Sequence, residues 1–147
     1  MAESRVLQLK RPVLLVSCPE QAMTVYGGLL GFQENYRLEH ETRTFSHEAF
    51  RLPQDLETTF ITLDLGDAER VLALIAVGDA AIDWDQPRAG IVLEVASVTA
   101  TLREADARGL ACLPIKREPN PEQGPPRSEA GFYDPDGNLI VVYDLSP

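Results

Sequence analysis

The sequence predicts an α+β fold in which one β-α-β-β-β unit is built twice. Two echoes within the chain carry that expectation. A short apolar run enters a helix that a glycine stops, from Val16-Ser17 to Gly31 and again from Val95-Ala96 to Gly109. A turn precedes an apolar strand at Asp64-Leu65-Gly66-Asp67 and again at Asp134-Pro135-Asp136-Gly137. Repeats of this size imply stacked supersecondary units that share a core. At 147 residues the chain is one domain's worth and can bury that core unaided.

The elements follow in order. Arg11-Pro12-Val13-Leu14-Leu15-Val16 is a compact apolar run, short enough for a buried strand. Ser17 or Cys18 caps the next helix, with Pro19 in its first turn and Glu20 placed to close a capping box with Ser17. Ala22, Val25, Tyr26, Leu29 and Leu30 form its apolar stripe, and Gly31 ends it. Gly27 and Gly28 inside that helix imply close packing against a sheet. Residues 36–45 read as a half-exposed strand, 46–56 as a loop, 58–65 as the clearest strand of this half, and 70–77 as its return. Residues 78–89 are the connector between a first module at about 11–77 and a second at about 90–145.

The second module opens with the strand Ile91 to Val95. Ser97 caps a helix through Arg108, with Val98, Leu102 and Ala105 on one face. Residues 113–117 form a strand, and the proline-rich 118–128 is a loop. The hairpin across Asp134 to Gly137 completes the unit, because proline presets φ and glycine accepts a positive one. Leu139 to Tyr143 is then a β-branched and aromatic strand.

Composition narrows function. With 13 basic against 23 acidic residues the net charge is −10, a surface that repels phosphate backbones and excludes nucleic acid as a partner. The same field favours a cationic small molecule. The start carries no signal-peptide core and no run approaches a membrane span, which gives the expectation of a cytoplasmic protein. Cys18 and Cys112 lack paired spacing and are read as reduced thiols. There is no Gly-x-Gly-x-x-Gly, no Walker pattern and no recognisable Ser-His-Asp setting.

Val16-Ser17-Cys18-Pro19-Glu20-Gln21-Ala22, followed by Val25-Tyr26 and Leu29-Leu30-Gly31-Phe32, resembles the first strand and helix of the vicinal oxygen chelate superfamily. That family includes glyoxalase, bleomycin-resistance proteins and extradiol dioxygenases. Gly131-Phe132-Tyr133-Asp134-Pro135-Asp136-Gly137-Asn138 resembles its second-module signature. The resemblance spans nearly the whole chain and implies two modules whose curled mixed sheets form a cup, often in a homodimer. Its enzymes hold a divalent metal with His and Glu or Gln from four strands. The corresponding positions here are Arg11, Ala73 or its neighbour Leu74, Gly90 and Val141. None ligates a metal in the usual way, since arginine is a charged donor and the others lack a ligating side chain. The histidines, His40 and His47, fall elsewhere and are read as exposed or structural.

The function this implies is metal-independent binding of a cationic or aromatic small molecule, a sequestering role like that of the bleomycin-resistance proteins, with no cofactor. The rival is a glyoxalase-like lyase or dioxygenase whose metal ligands have moved to Glu94, His40 or His47. A structural or regulatory dimer with a self-filled cup is the third reading. Strand alternation puts Arg11, Val13 and Leu15, then Val92 and Glu94, then Leu139, Val141 and Tyr143 toward the cup. Arg11, Glu94 and Tyr143 are the candidate polar contacts, although Arg11 and Glu94 also suit a pair with each other. Trp84 is the sole tryptophan, suited to stack on a ligand or to cover the core edge or a dimer partner. Cys18, at a helix start, reads as a cap or as a reactive thiol.

Overall fold

The computed structural model describes residues 7–79, 90–119 and 125–145. Strands β1 (Val13–Val16), β2 (Gln33–Glu41), β3 (Thr58–Leu65) and β4 (Ala68–Ala76) form one sheet in the order β1-β4-β3-β2. Strands β5 (Ile91–Glu94), β6 (Lys116–Glu118), β7 (Arg127–Tyr133) and β8 (Leu139–Asp144) form a second in the matching order β5-β8-β7-β6. In each sheet the first strand runs parallel to the last, while the others pair antiparallel. The duplicated α+β frame is therefore present in the backbone. Gly66 and Gly137 take φ of +57° and +85° in the two hairpins, a region glycine enters without steric cost.

Local chemistry departs from expectation at several points. The first helix opens as α1 (Pro19–Met23) but widens into a π-helical stretch over Thr24–Leu29. Its N-cap is Cys18, with no side-chain cap, and the Ser17–Glu20 box does not form. The Ser17 N–H is instead taken by the Asp136 carboxylate at 3.0 Å. Residues 45–49 form a short helix, α2 (Phe45–Ala49), where a loop was expected. Thr44 and His47 cap it reciprocally, so histidine fills the place that glutamate usually marks. Strand β2 starts and stops earlier than the predicted 36–45, and β6 is shifted to Lys116–Glu118. Strand β7 reaches back into the predicted loop at Arg127. Helix α3 (Val98–Ala107) follows its prediction, with the Ser97 hydroxyl accepting from the Ala100 N–H at 3.1 Å.

One core joins both halves. Leu14, Val16, Ile61, Leu63 and Leu74 from the first sheet meet Phe132, Ile140 and Val142 from the second, with α1 and α3 between them. The glycine step in the first helix packs against α3 and not a sheet: Gly28 lies under the Arg108 guanidinium, which donates to the Thr24 carbonyl at 3.1 Å. The opposite face of the first sheet carries its own cluster, in which Leu15, Ile75 and Val77 are covered by Leu52, Phe50 and Leu56. The same face of the second sheet has no such cover among the described residues, and Val92 there is 67% exposed.

The hairpin of the second sheet locks the halves together. Asp134, only 4% exposed, accepts from the Tyr26 hydroxyl at 2.7 Å, from the backbone N–H groups of Asp136 and Asn138, and from the Asn138 side-chain amide. Asn138 also donates to the Leu15 carbonyl of β1 at 2.7 Å. The turn aspartates thus serve their own backbone and also hold β1 and the first helix.

Candidate functional site

Where the leads into β1 and β5 meet the β3–β4 hairpin, the two sheets leave a cavity of about 460 Å³. Phe32, Leu72 and Ile91 supply its floor from the core, and Val71, Ala68 and Val92 its walls. Among the described residues Arg11 is the only charged side chain in the lining. This is the makeup of a small-molecule site, apolar with a sparse polar element. Strand alternation alone does not reveal it, because it arises from the spacing between sheets.

Arg11 is held by its Nε–H, which donates to the Arg70 carbonyl at 2.9 Å. Arg70 itself sits at φ +51°, a strained position for a side-chain-bearing residue. Its N–H donates to Asp64 at 2.9 Å and its guanidinium lies 5.9 Å from the centre of the Tyr36 ring. The strain is tied down on the backbone and on the side chain, which fixes the carbonyl that aims Arg11.

The other predicted site residues lie apart. Glu94 and Tyr143 are register partners on β5 and β8, with the Tyr143 hydroxyl donating to Glu94 at 3.3 Å. Partial desolvation, then the Glu94 charge, push the Tyr143 phenol up, so it stays a donor. Arg11 does not pair with Glu94; among the described residues its partner is the Arg70 carbonyl. Trp84 lies outside the described residues. Val13 and Leu15, expected to face one cup with Val92, pack instead with the Leu52 cluster. Cys18 is half-buried and its thiol donates to Glu20 at 3.3 Å, while Cys112 is exposed; both are free.

The positions at which the resembled family holds its metal carry no ligating side chain here. Arg11 and Gly90 border the cavity, Ala73 is fully buried, and Val141 lies on β8. Thr62 pairs with Ala73 across the sheet, and its buried hydroxyl has no partner, yet a lone hydroxyl makes no metal site. His47 is fully buried and spent on structure: Nε2–H donates to the Leu56 carbonyl at 2.7 Å, and Nδ1 meets Thr44. His40 is exposed beside Glu57. Among the described residues no three His, Cys, Asp or Glu side chains gather as a metal site. The described residues do not fit the metal that the family's enzymes carry.

The model of the Glyoxalase/Bleomycin resistance protein/Dioxygenase superfamily matches residues 8–142. Among solved structures, a glyoxalase family protein from Bacillus cereus superposes with a TM-score of 0.72 at 12% identity, covering 98% of this chain and 97% of that one. TnmS3, an antibiotic binding protein from a Streptomyces species, gives 0.60 at 21% identity, covering 98% and 100%. The fosfomycin resistance protein FosX from Listeria monocytogenes, complexed with Mn(II) and sulfate, gives 0.61 at 16% identity, covering 97% and 95%. At these identities the structures speak for the fold alone. No curated protein matches the chain.

Proposed function

We propose that this chain, which belongs to the Glyoxalase/Bleomycin resistance protein/Dioxygenase superfamily, holds an apolar or aromatic small molecule in the cavity between its sheets and acts by binding, without chemistry. The observation that carries this is the cavity of about 460 Å³, walled by apolar side chains and bordered by Arg11 and Gly90 where the family's enzymes have metal ligands. A donor set that cannot hold the metal leaves a container without its catalyst. TnmS3 lends support as an antibiotic binding protein of the same fold, whereas FosX is a relative with Mn(II).

In this reading the chain is one domain of two modules, about 11–77 and 90–145, joined by 78–89, and it works as a homodimer in the cytoplasm. Arg11 contacts the ligand. Glu94 and Tyr143 lie on the face of the second sheet that no described residue covers, where they contact a ligand only once a second copy closes over it. Trp84 is assigned a stacking role from the sequence.

The test is a titration with N-phenyl-1-naphthylamine, a neutral aromatic dye that brightens in apolar surroundings. The wild-type chain is expected to bind one dye per chain, and Ala68→Phe, which fills the cavity from its wall, to lose at least tenfold in affinity. Equal binding by the two proteins, or none by the wild type, would overturn the reading.

A further inference from the structure

The charge around the cavity runs against the charge of the chain. The protein carries 23 acidic residues to 13 basic, yet among the described residues the one charged side chain lining the cavity is Arg11. A second cavity, of about 290 Å³, adjoins it and shares Leu9, Arg11 and Val71 with it. There Lys10, Arg11 and Arg70 stand against one acid, Glu69. Apolar and basic compartments thus meet along Leu9, Arg11 and Val71, with Arg11 the shared charge.

Arg11 is also aimed and unsatisfied. Its Nε–H is spent on the Arg70 carbonyl at 2.9 Å, which fixes the plane of the guanidinium. Its terminal amino groups have no partner among the described residues, and neither does the Lys10 ammonium. A guanidinium offers its N–H groups as a rigid fork that suits a carboxylate or phosphate. The Arg70 guanidinium is drawn to the Tyr36 ring at 5.9 Å, which leaves Arg11, shared by both cavities, and Lys10 as the cations of this lining without a side-chain contact among the described residues.

We infer that the ligand is an amphipathic anion, an acyl or aryl carboxylate whose apolar part fills the larger cavity and whose head is held by Arg11 and Lys10 in the smaller one. This rests on the reading of the cavity as the ligand site and replaces the cation that net charge alone suggested. The field of the whole chain repels such an anion at long range, but that repulsion is screened beyond about 10 Å at 0.1 M salt. The hydrogen-bonded contact at Arg11 survives. Salt therefore relieves the long-range repulsion while it weakens the exposed Lys10 contact, so the affinity for the anion changes little, whereas a ligand drawn in by net charge would weaken steadily.

Octanoate, octanol and octyltrimethylammonium share one tail and differ in head. Each competes against N-phenyl-1-naphthylamine on the full-length chain at 0.1 M salt. Octanoate is expected to displace the dye at about one tenth the concentration octanol needs, the effect of one charge-assisted contact. Octyltrimethylammonium is expected to be the weakest. Arg11→Gln should bring the octanoate-to-octanol ratio to about one, and Lys10→Gln should lower it part of the way. A better showing by octyltrimethylammonium, or a ratio unmoved in both variants, overturns the anion while the cavity reading stands. Failure of all three to displace the dye, together with unchanged dye binding by Ala68→Phe, overturns the cavity reading itself.

Discussion

Replacing Tyr26 by phenylalanine removes one oxygen atom from the place where the two halves are locked. That hydroxyl is fully buried and donates to Asp134 at 2.7 Å, and Asp134 keeps three further donors, so the carboxylate is not stranded. Loss of a hydrogen bond to a charged acceptor costs about 1.5–3 kcal/mol. In a chain of this size that lowers the melting midpoint by about 4–8 °C. Burial, then the Asp134 charge, hold the Tyr26 phenol far above its ordinary range. The unfolded phenol releases its proton near pH 10, so above that pH the unfolded chain binds fewer protons than the native one. Stability from this group is fully present below about pH 10 and falls above it, by about 1.4 kcal/mol per pH unit. Urea unfolding at pH 7 and pH 11 reads both effects: Tyr26→Phe is less stable at pH 7, and the gap to wild type narrows at pH 11. A variant within 0.5 kcal/mol of wild type at pH 7, or a gap that fails to narrow, refutes the reasoning.

Two further outcomes are expected. Leu52→Ala empties the cover over Leu15, Ile75 and Val77 and should cost about 2–4 kcal/mol in urea unfolding, with dye binding at the seam unchanged because Leu52 does not line that cavity. Ni²⁺, Mn²⁺, Fe²⁺ and Zn²⁺ should leave the melting midpoint where it is; a site at a hundred times its dissociation constant would add about 2.7 kcal/mol, or roughly 5–10 °C, and so revive metal chemistry.

The duplicated frame was legible because its signals are local. The β-branched and aromatic run from Leu139 to Tyr143, the Asp-Pro-Asp-Gly turn and the Ser97 cap each act within a few residues of themselves. Helix α2 was hidden because His47, not glutamate, closes the box with Thr44. The capping of the first helix is not legible locally because the Ser17 N–H answers to Asp136, a residue 119 positions away. Alternation did place Glu94 and Tyr143 on one face, where they are register partners. It could not show that the faces of the two sheets point to different places, so Val13 and Leu15 were grouped with Val92. The cavity beside Arg11 depends on how far apart two sheets settle, a property no single segment carries.

The lock at Asp134 and Asn138 also sets when the chain can finish folding. The Asn138 amide reaches the Leu15 carbonyl across 123 positions, and the Tyr26 hydroxyl reaches Asp134 across 108. During synthesis the first half leaves the ribosome with a strand carbonyl and a phenol whose native partners have not yet been made. Contacts this distant in sequence slow folding, because the intervening chain must be ordered before they can repay the loss of entropy. The first sheet pairs strands that all lie within Val13–Ala76, but the core face of β1 and its helix stay partly uncovered until β7 and β8 emerge. That interval is when the chain is most open to aggregation and to chaperones.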